Sequence, residues 1–352
     1  MLSEELRGKR LYLVGPLPKP IGGVSTYIYR LLKYFPDSYS AVYDIYKNSE
    51  KEKVNSRSFI SPFENRLLSI IWLAYVLPKK KDDFIHFNFS GVISLILFSF
   101  FVKSKSEWGV TLHNGELCVS NSVVLFFIRV ISKKIDRFFY ISDNQKKFYK
   151  EKLLIDDGKL FNLDSYVPPI IQLDEKGKLE DFGIEHVNKF DFVALANGYF
   201  KPIYNFEFIL DAARLKSNIL FLVVTYGESN RNYEEKINSI AECLDNVVFL
   251  NEISPDDFVR LLDSIDIYLR PNFVDSFGLA VADAVSLSKQ AIASDVCGRA
   301  NGCMLFKSGC FRDFMEKFEY ILTKNQASKD GFYTREKVIS KYKFCYGIKD
   351  KL

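Results

Sequence analysis

Two aspartates, Asp275 and Asp283, stand in the stretch 269–295, LRPNFVDSFGLAVADAVSLSKQAIASD. A strand is expected to end near Arg270-Pro271. A loop then carries Asp275-Ser276-Phe277-Gly278, and a helix starts about Leu279. A helix start presents unpaired amides and the positive end of a dipole, which suits a diphosphate. Eight steps at helical rise span roughly 12 Å, about the reach of a nucleotide sugar. A carboxylate at either end can accept hydrogen bonds from sugar and ribose hydroxyls. The plain alternative is a capped surface helix with two unrelated carboxylates.

Three further segments carry chemistry-bearing residues. Ile21-Gly22-Gly23-Val24-Ser25 follows a first strand and opens a helix, where glycines permit close backbone approach to a phosphate. Thr111-Leu112-His113-Asn114-Gly115-Glu116 puts a histidine at a strand end. The chain has three histidines; His86, on another strand, is the alternative cleft residue, and His186 reads as surface. Asn197-Gly198-Tyr199-Phe200-Lys201-Pro202-Ile203-Tyr204-Asn205 follows the strand that opens the second half.

In order along nearly the whole chain, these segments resemble glycosyltransferase family 4. The signature of that family pairs two glutamates across seven residues, with Phe-Gly-Leu between them; both are aspartates here. The resemblance implies that Asp275 contacts donor-sugar hydroxyls and Asp283 the ribose. Gly198, Ser276, Phe277, Gly278 and Leu279, with Gly22 and Gly23, cradle phosphate or sugar, and His113 lines the cleft near the reacting sugar. The family carries an Arg after the glycine and a Lys five residues later, where this chain has Tyr199 and Tyr204. Lys201 is then the nearest substitute cation, with Arg270 and Arg299 as others. Related bacterial polysaccharide enzymes carry an Arg-Pro where this chain has Arg270-Pro271. Retention of anomeric configuration follows from the resemblance, by attack on the face from which the nucleotide leaves. No Asp-x-Asp triplet occurs, so a metal-chelating diphosphate site has no visible basis, and no cofactor is expected beyond a UDP- or GDP-linked sugar as substrate.

These residues need a scaffold that brings strand ends together. Short apolar runs alternate with helical patterns, which argues for α/β architecture with parallel sheets. Strands are expected at Arg10–Val14, 84–87, 108–112, 137–141, 190–196, 219–225, 247–250, 267–269 and 290–293. Helices are expected at 24–35, 206–215 and 255–262, and 87–102 reads as a buried strand end plus helix. A break at Val167-Pro168-Pro169 divides the chain. The expected architecture is GT-B, two Rossmann-like domains facing across a cleft. Residues 1–168 form an acceptor-binding domain and 169–330 a nucleotide-sugar domain; 331–352 form a partly helical tail packing toward the first.

Composition narrows the setting. With 48% apolar and 26% charged residues, 352 residues suffice for two packed cores. Six scattered cysteines indicate neither a zinc site nor a disulfide framework. No targeting or spanning segment is visible, so a cytoplasmic enzyme is expected. Residues 1–168 carry 25 Lys and Arg against 17 Asp and Glu, +8, while the remainder carries −4. That split suits reversible, salt-sensitive attraction of the first half to an anionic membrane face. The expected acceptor is a carbohydrate or lipid-linked oligosaccharide of bacterial polysaccharide synthesis, and no nucleic-acid partner is expected. A silent nucleotide- or glycan-binding homologue and an epimerase on the same fold are the competing readings.

Overall fold

A computed structural model describes residues 10–19, 22–35, 39–46, 58–114, 117–163, 166–169, 178–185, 187–227, 229–275, 277–323 and 335–346. The chain divides into two compact units, Met1–Val167 with Arg335–Leu352, and Pro168–Thr334. Each is built on a wholly parallel sheet.

In the first unit the strands are β1 (Arg10–Val14), β2 (Tyr39–Asp44), β3 (Ser58–Ile60), β4 (Asp83–Phe89), β5 (Glu107–Leu112), β6 (Arg137–Tyr140) and β7 (Leu160–Asn162). They lie in the order β3-β2-β1-β4-β5-β6-β7. The helices are α1 (Gly23–Tyr34), α2 (Arg66–Val76), α3 (Ser122–Ser132) and α4 (Asp143–Glu151). A strand covered on both faces is buried along its length, as β4 is at all its residues, Asp83 and His86 included. One face of the sheet packs α2, α3, α4 and a 3-10 helix, Val92–Ser99. The segment 87–102 is, as expected, a buried strand end plus a helix: β4 runs on to Phe89, and the helix that follows is 3-10, with Ile93, Phe100 and Val102 exposed.

The other face packs α1 and a helix from the far end of the chain, α10 (Arg335–Tyr346). Val338, Tyr342, Cys345 and Tyr346 are buried there beside Tyr27, Leu31 and Tyr39. The phenols pair: Tyr39 with Tyr346 at 2.9 Å, and Tyr27 with Tyr342. Arg137 donates to the Cys345 carbonyl at 2.6 Å. Buried hydroxyls that find partners avoid the desolvation cost of lone polar groups.

The second unit holds β8 (Phe192–Gly198), β9 (Ile219–Thr225), β10 (Val247–Asn251), β11 (Ile267–Arg270), β12 (Gln290–Ser294) and β13 (Met304–Phe306), in the order β10-β9-β8-β11-β12-β13. Its helices are α5 (Phe206–Leu215), α6 (Arg231–Ala241), α7 (Pro255–Asp263), α8 (Leu279–Ser286) and α9 (Phe311–Leu322). Sequence order reverses between β8 and β11. In open parallel sheets such a reversal opens a crevice at the carboxyl ends of the strands, where ligands bind.

Candidate donor site

The site is built at that reversal. Strand β11 pairs with β8 through Leu269 opposite Ala196, which brings Arg270 beside Asn197. The Arg270 guanidinium donates to the Asn197 carbonyl at 3.1 Å. It also donates to both oxygens of Asp275, at 2.8 Å and 3.3 Å. Arg299, from the loop after β12, donates to Asp275 Oδ2 at 2.6 Å and to the Phe277 carbonyl at 3.3 Å. It reaches back to the Ser294 carbonyl at 3.2 Å, so this loop is sewn to the end of its own strand.

The Arg299 side chain is 1% exposed and that of Asp275 is 9% exposed. Burial pushes the Asp275 carboxyl up, but the charges and hydrogen bonds of Arg270 and then Arg299 outweigh it and hold it well below the ordinary carboxylate range. Two guanidiniums against one carboxylate leave one excess positive charge where the chain enters α8. Gly278 makes that turn in the left-handed region, φ +78°, and a Cβ there would stand 2.5 Å from an Arg299 nitrogen. Both facts demand glycine. The amides of Leu279 and Ala280 then lead the helix.

Asp283 lies inside α8 and is 1% exposed. Ser276 lies outside the described residues. Gly198 ends β8 under the ring of Tyr204, which a Cβ would meet at 2.2 Å. Tyr204 in turn lies beneath the Arg270 guanidinium, 5.6 Å from ring centroid to carbon, and 5.7 Å from the Tyr199 ring. A cation over a ring face is attracted by its quadrupole, so Tyr204 supports the arginine. Lys201 is exposed, with its ammonium 5.4 Å from the Tyr199 ring centroid.

In the first unit, His113 follows β5. Its amide donates to the Phe89 carbonyl at 2.8 Å, and Nε2 lies 3.1 Å from Asn88 Oδ1. Its ring meets Tyr27 edge to face at 4.6 Å. Burial lowers its pKa, so the imidazole is neutral near pH 7. His86 is different: both ring nitrogens are used inside the core, by Tyr346 at 2.9 Å and Thr111 at 2.8 Å. Of the two alternatives, His86 is a core residue and His113 stands at a strand end. His186 lies outside the described residues. Gly22 caps α1, and a Cβ at Gly22 or Gly23 meets nothing within 4 Å. The protein's own packing therefore does not require these glycines.

Sequence reading placed Arg299 among the cations that would face the phosphates. It is instead the inner clamp on Asp275, a pairing across 24 residues that only the fold of the loop reveals. Asn197 and Tyr204, as supports of Arg270, were also not foreseen. Among the described residues no group of three or more His, Cys, Asp or Glu is placed to hold a metal ion, and no helix is long and apolar enough to cross a membrane.

Comparison with known structures identifies the class of fold. The chain superposes on HepE of Anabaena in complex with UDP-glucose with a TM-score of 0.71 at 12% identity, over 96% of this chain and 98% of that one. A glycosyltransferase from Rickettsia africae gives 0.66 at 16% identity, over 95% and 94%. Sucrose-phosphate synthase of Thermosynechococcus elongatus gives 0.65 at 14%, over 97% and 94%. The two parallel-sheet α/β units are those of the GT-B fold. Residues 178–311, most of the second unit, match the family of glycosyl transferases group 1. The chain is also 24% identical over 243 residues to an uncharacterized 41.2 kDa protein in the cps region of Klebsiella pneumoniae, a match spanning 65% of each chain. Together these findings support a glycosyltransferase.

Proposed function

We propose that the protein is a retaining, metal-independent glycosyltransferase. It moves a sugar from a UDP- or GDP-linked donor to a glycan or lipid-linked oligosaccharide during assembly of a bacterial surface polysaccharide. The observation that carries this reading is the Arg270–Asp275–Arg299 cluster at the sheet reversal of the unit matching group 1 glycosyltransferases, beside the start of α8. Its excess positive charge and the leading amides of the helix suit a departing diphosphate. Stabilising charge as it develops is commonly the largest catalytic term.

In this mechanism Arg270, held by Asn197 and Tyr204, neutralises the leaving group. Lys201 adds a second cation in place of the basic residues that Tyr199 and Tyr204 replace. Gly198, Gly278, Leu279 and the backbone of Phe277 approach donor oxygens, and Ser276 joins them. Asp283 accepts from the ribose. Asp275 spends most of its accepting capacity on the two arginines, so its main task is to aim them, with any remaining lone pair for a sugar hydroxyl. The neutral imidazole of His113 suits hydrogen bonding to a sugar hydroxyl, and Gly22 and Gly23 leave room for close approach. The acceptor proton passes to the departing phosphate oxygen, and no protein nucleophile is needed. HepE, with its UDP-glucose complex, and the cps-region relative support the donor and the pathway setting. The location is cytoplasmic, at the inner face of a membrane.

A silent nucleotide-binding homologue is the second reading, favoured by the engagement of Asp275 with Arg270 and Arg299. Thermal melts with a panel of nucleotide sugars test the proposal. One UDP- or GDP-sugar should raise the melting temperature and be slowly hydrolysed without acceptor; Asp283→Ala should lose stabilisation by donor and free nucleotide alike. Stabilisation without any turnover, with acceptor glycans present, favours the silent homologue. No stabilisation by any donor overturns both.

A further inference from the structure

His113 is held by two buried side-chain amides, those of Gln145 and Asn88. Its own backbone amide donates to the Phe89 carbonyl, and that of Asn114 to the Ser90 carbonyl, both at 2.8 Å. Gln145, buried in the first turn of α4, takes the carbonyls on either side of the histidine in sequence. Its Nε2 donates to Leu112 at 2.7 Å and to Asn114 at 2.5 Å, while its Oε1 accepts from the Ile141 amide at 3.0 Å. Every polar atom of that amide oxygen and nitrogen is thus engaged in fixing the chain around His113. The ring is then set by its edge-to-face contact with Tyr27 and by Asn88. Networks of satisfied buried groups hold a single arrangement.

Asn88 orients the ring, and its own orientation is fixed in turn. It is fully buried on β4, and its Nδ2 donates to the His86 carbonyl at 3.3 Å. Turning the amide over would set two oxygens against each other there. Oδ1 is therefore the atom that faces His113 Nε2 at 3.1 Å. An amide oxygen only accepts, so Nε2 carries the proton. The imidazole is neutral near pH 7, because burial lowers its pKa, and a neutral ring has a single N–H. Nδ1 is then a bare lone pair, and among the described residues nothing bonds to it. His86 shows the contrast, with partners at both ring nitrogens.

We propose that Asn88 is a positioning residue that holds His113 as the Nε2–H tautomer, so that His113 meets a sugar hydroxyl as an acceptor through Nδ1 and requires that hydroxyl to donate. This rests on the reading above that His113 serves a sugar hydroxyl, and it adds the direction of the bond. A hydroxyl can donate or accept, whereas a fluorine in its place cannot donate. A site built to bond a hydroxyl rejects the analogue that leaves its own polar group unpaired. The pair Asn88 and His113 therefore selects for a free hydroxyl at one position of the sugar.

Nitrogen NMR of the full chain with isotope-labelled histidine tests the tautomer without any substrate, and three histidines keep the spectrum assignable. His113, identified by the signals lost in His113→Gln, should show a protonated Nε2 and an unprotonated Nδ1. Asn88→Leu removes the acceptor and should mix the two tautomers. Should that variant unfold, Asn88→Asp keeps an acceptor and should keep Nε2 protonated. A ring protonated at Nδ1, an Asn88→Leu spectrum like that of the wild type, or an Asn88→Asp ring without a proton on Nε2 would overturn the proposal. The hydroxyl is tested by affinity, with the UDP- or GDP-sugar that raises the melting temperature and its singly deoxy and singly deoxyfluoro analogues. At one sugar position both analogues should bind at least about tenfold more weakly than the parent, and His113→Ala should abolish the difference. A deoxyfluoro analogue that binds like the parent while the deoxy analogue does not would make His113 the donor and overturn the direction of the bond. If no nucleotide sugar binds, the donor reading fails, and the free protein still decides the tautomer.

Discussion

Arg299 reaches Asp275 with a hydrogen bond of 2.6 Å from a side chain that is 1% exposed. Breaking a buried pair strands the surviving charge, and the loss commonly reaches about 3 kcal/mol or more. Arg299→Ala should therefore destabilise the second unit by roughly 3 kcal/mol in chemical denaturation. Adding Asp275→Ala should recover part of that loss, because neither charge is then left alone. Additive costs in the double-mutant cycle would mean that the two side chains are not coupled.

Gly278 joins this clamp to α8. Gly278→Ala forces a left-handed alanine, at roughly 1–2 kcal/mol, and pushes its Cβ against Arg299, 2.5 Å away. Stability should fall by at least that amount, and nucleotide affinity should fall with it because the first amides of the helix tilt. A variant that melts and binds like the wild type would show that the turn has another conformation.

In the proposed mechanism Arg270 serves the leaving diphosphate. Arg270→Ala should lower turnover at least about tenfold, equivalent to roughly 1.4 kcal/mol of transition-state stabilisation, with a smaller change in donor affinity. The same assay run with excess EDTA should keep wild-type turnover. Loss on chelation that a divalent ion restores would replace helix amides and guanidinium by a metal as the source of charge stabilisation.

His86 gives the first unit an acid-sensitive core. Burial, and then the neighbouring His113, push its pKa down to about 3. Between that value and the unfolded value near 6.5 the unfolded chain binds more protons, so stability is full above about pH 6.5 and falls as pH falls. From pH 6.5 to 4.5 the loss attributable to such a histidine is roughly 2 kcal/mol. His86→Gln should be less stable at neutral pH yet show a shallower decline over this interval. Equal slopes would place the acid sensitivity elsewhere.

What the sequence disclosed follows from where the physical signal lies. Strand β9, ILFLVVT, and helix α5 have the predicted bounds because an unbroken apolar run and a 3.6-residue stripe are local patterns. Strands β2, β3, β7 and β13 were not foreseen. Three of them have only three residues, and β2 mixes Tyr, Ser and Asp in a run whose burial comes from neighbours distant in sequence. The start of α8 at Leu279 was legible from Gly278. The engagement of Asp275 by two arginines was not, since Arg299 reads as any loop cation until β12 delivers it.

One consequence of α10 concerns the order in which the protein is made. Tyr342 and Tyr346 complete a core that otherwise comes from the first part of the chain, so that unit cannot close until α10 has emerged from the ribosome. The segment 168–334 is contiguous and has no such wait. Domains usually finish in order of synthesis; here the second to be made is the first that can finish. Its predecessor must meanwhile carry apolar helices with an unsealed sheet face through translation of the remaining chain, the interval in which a chaperone has most to protect.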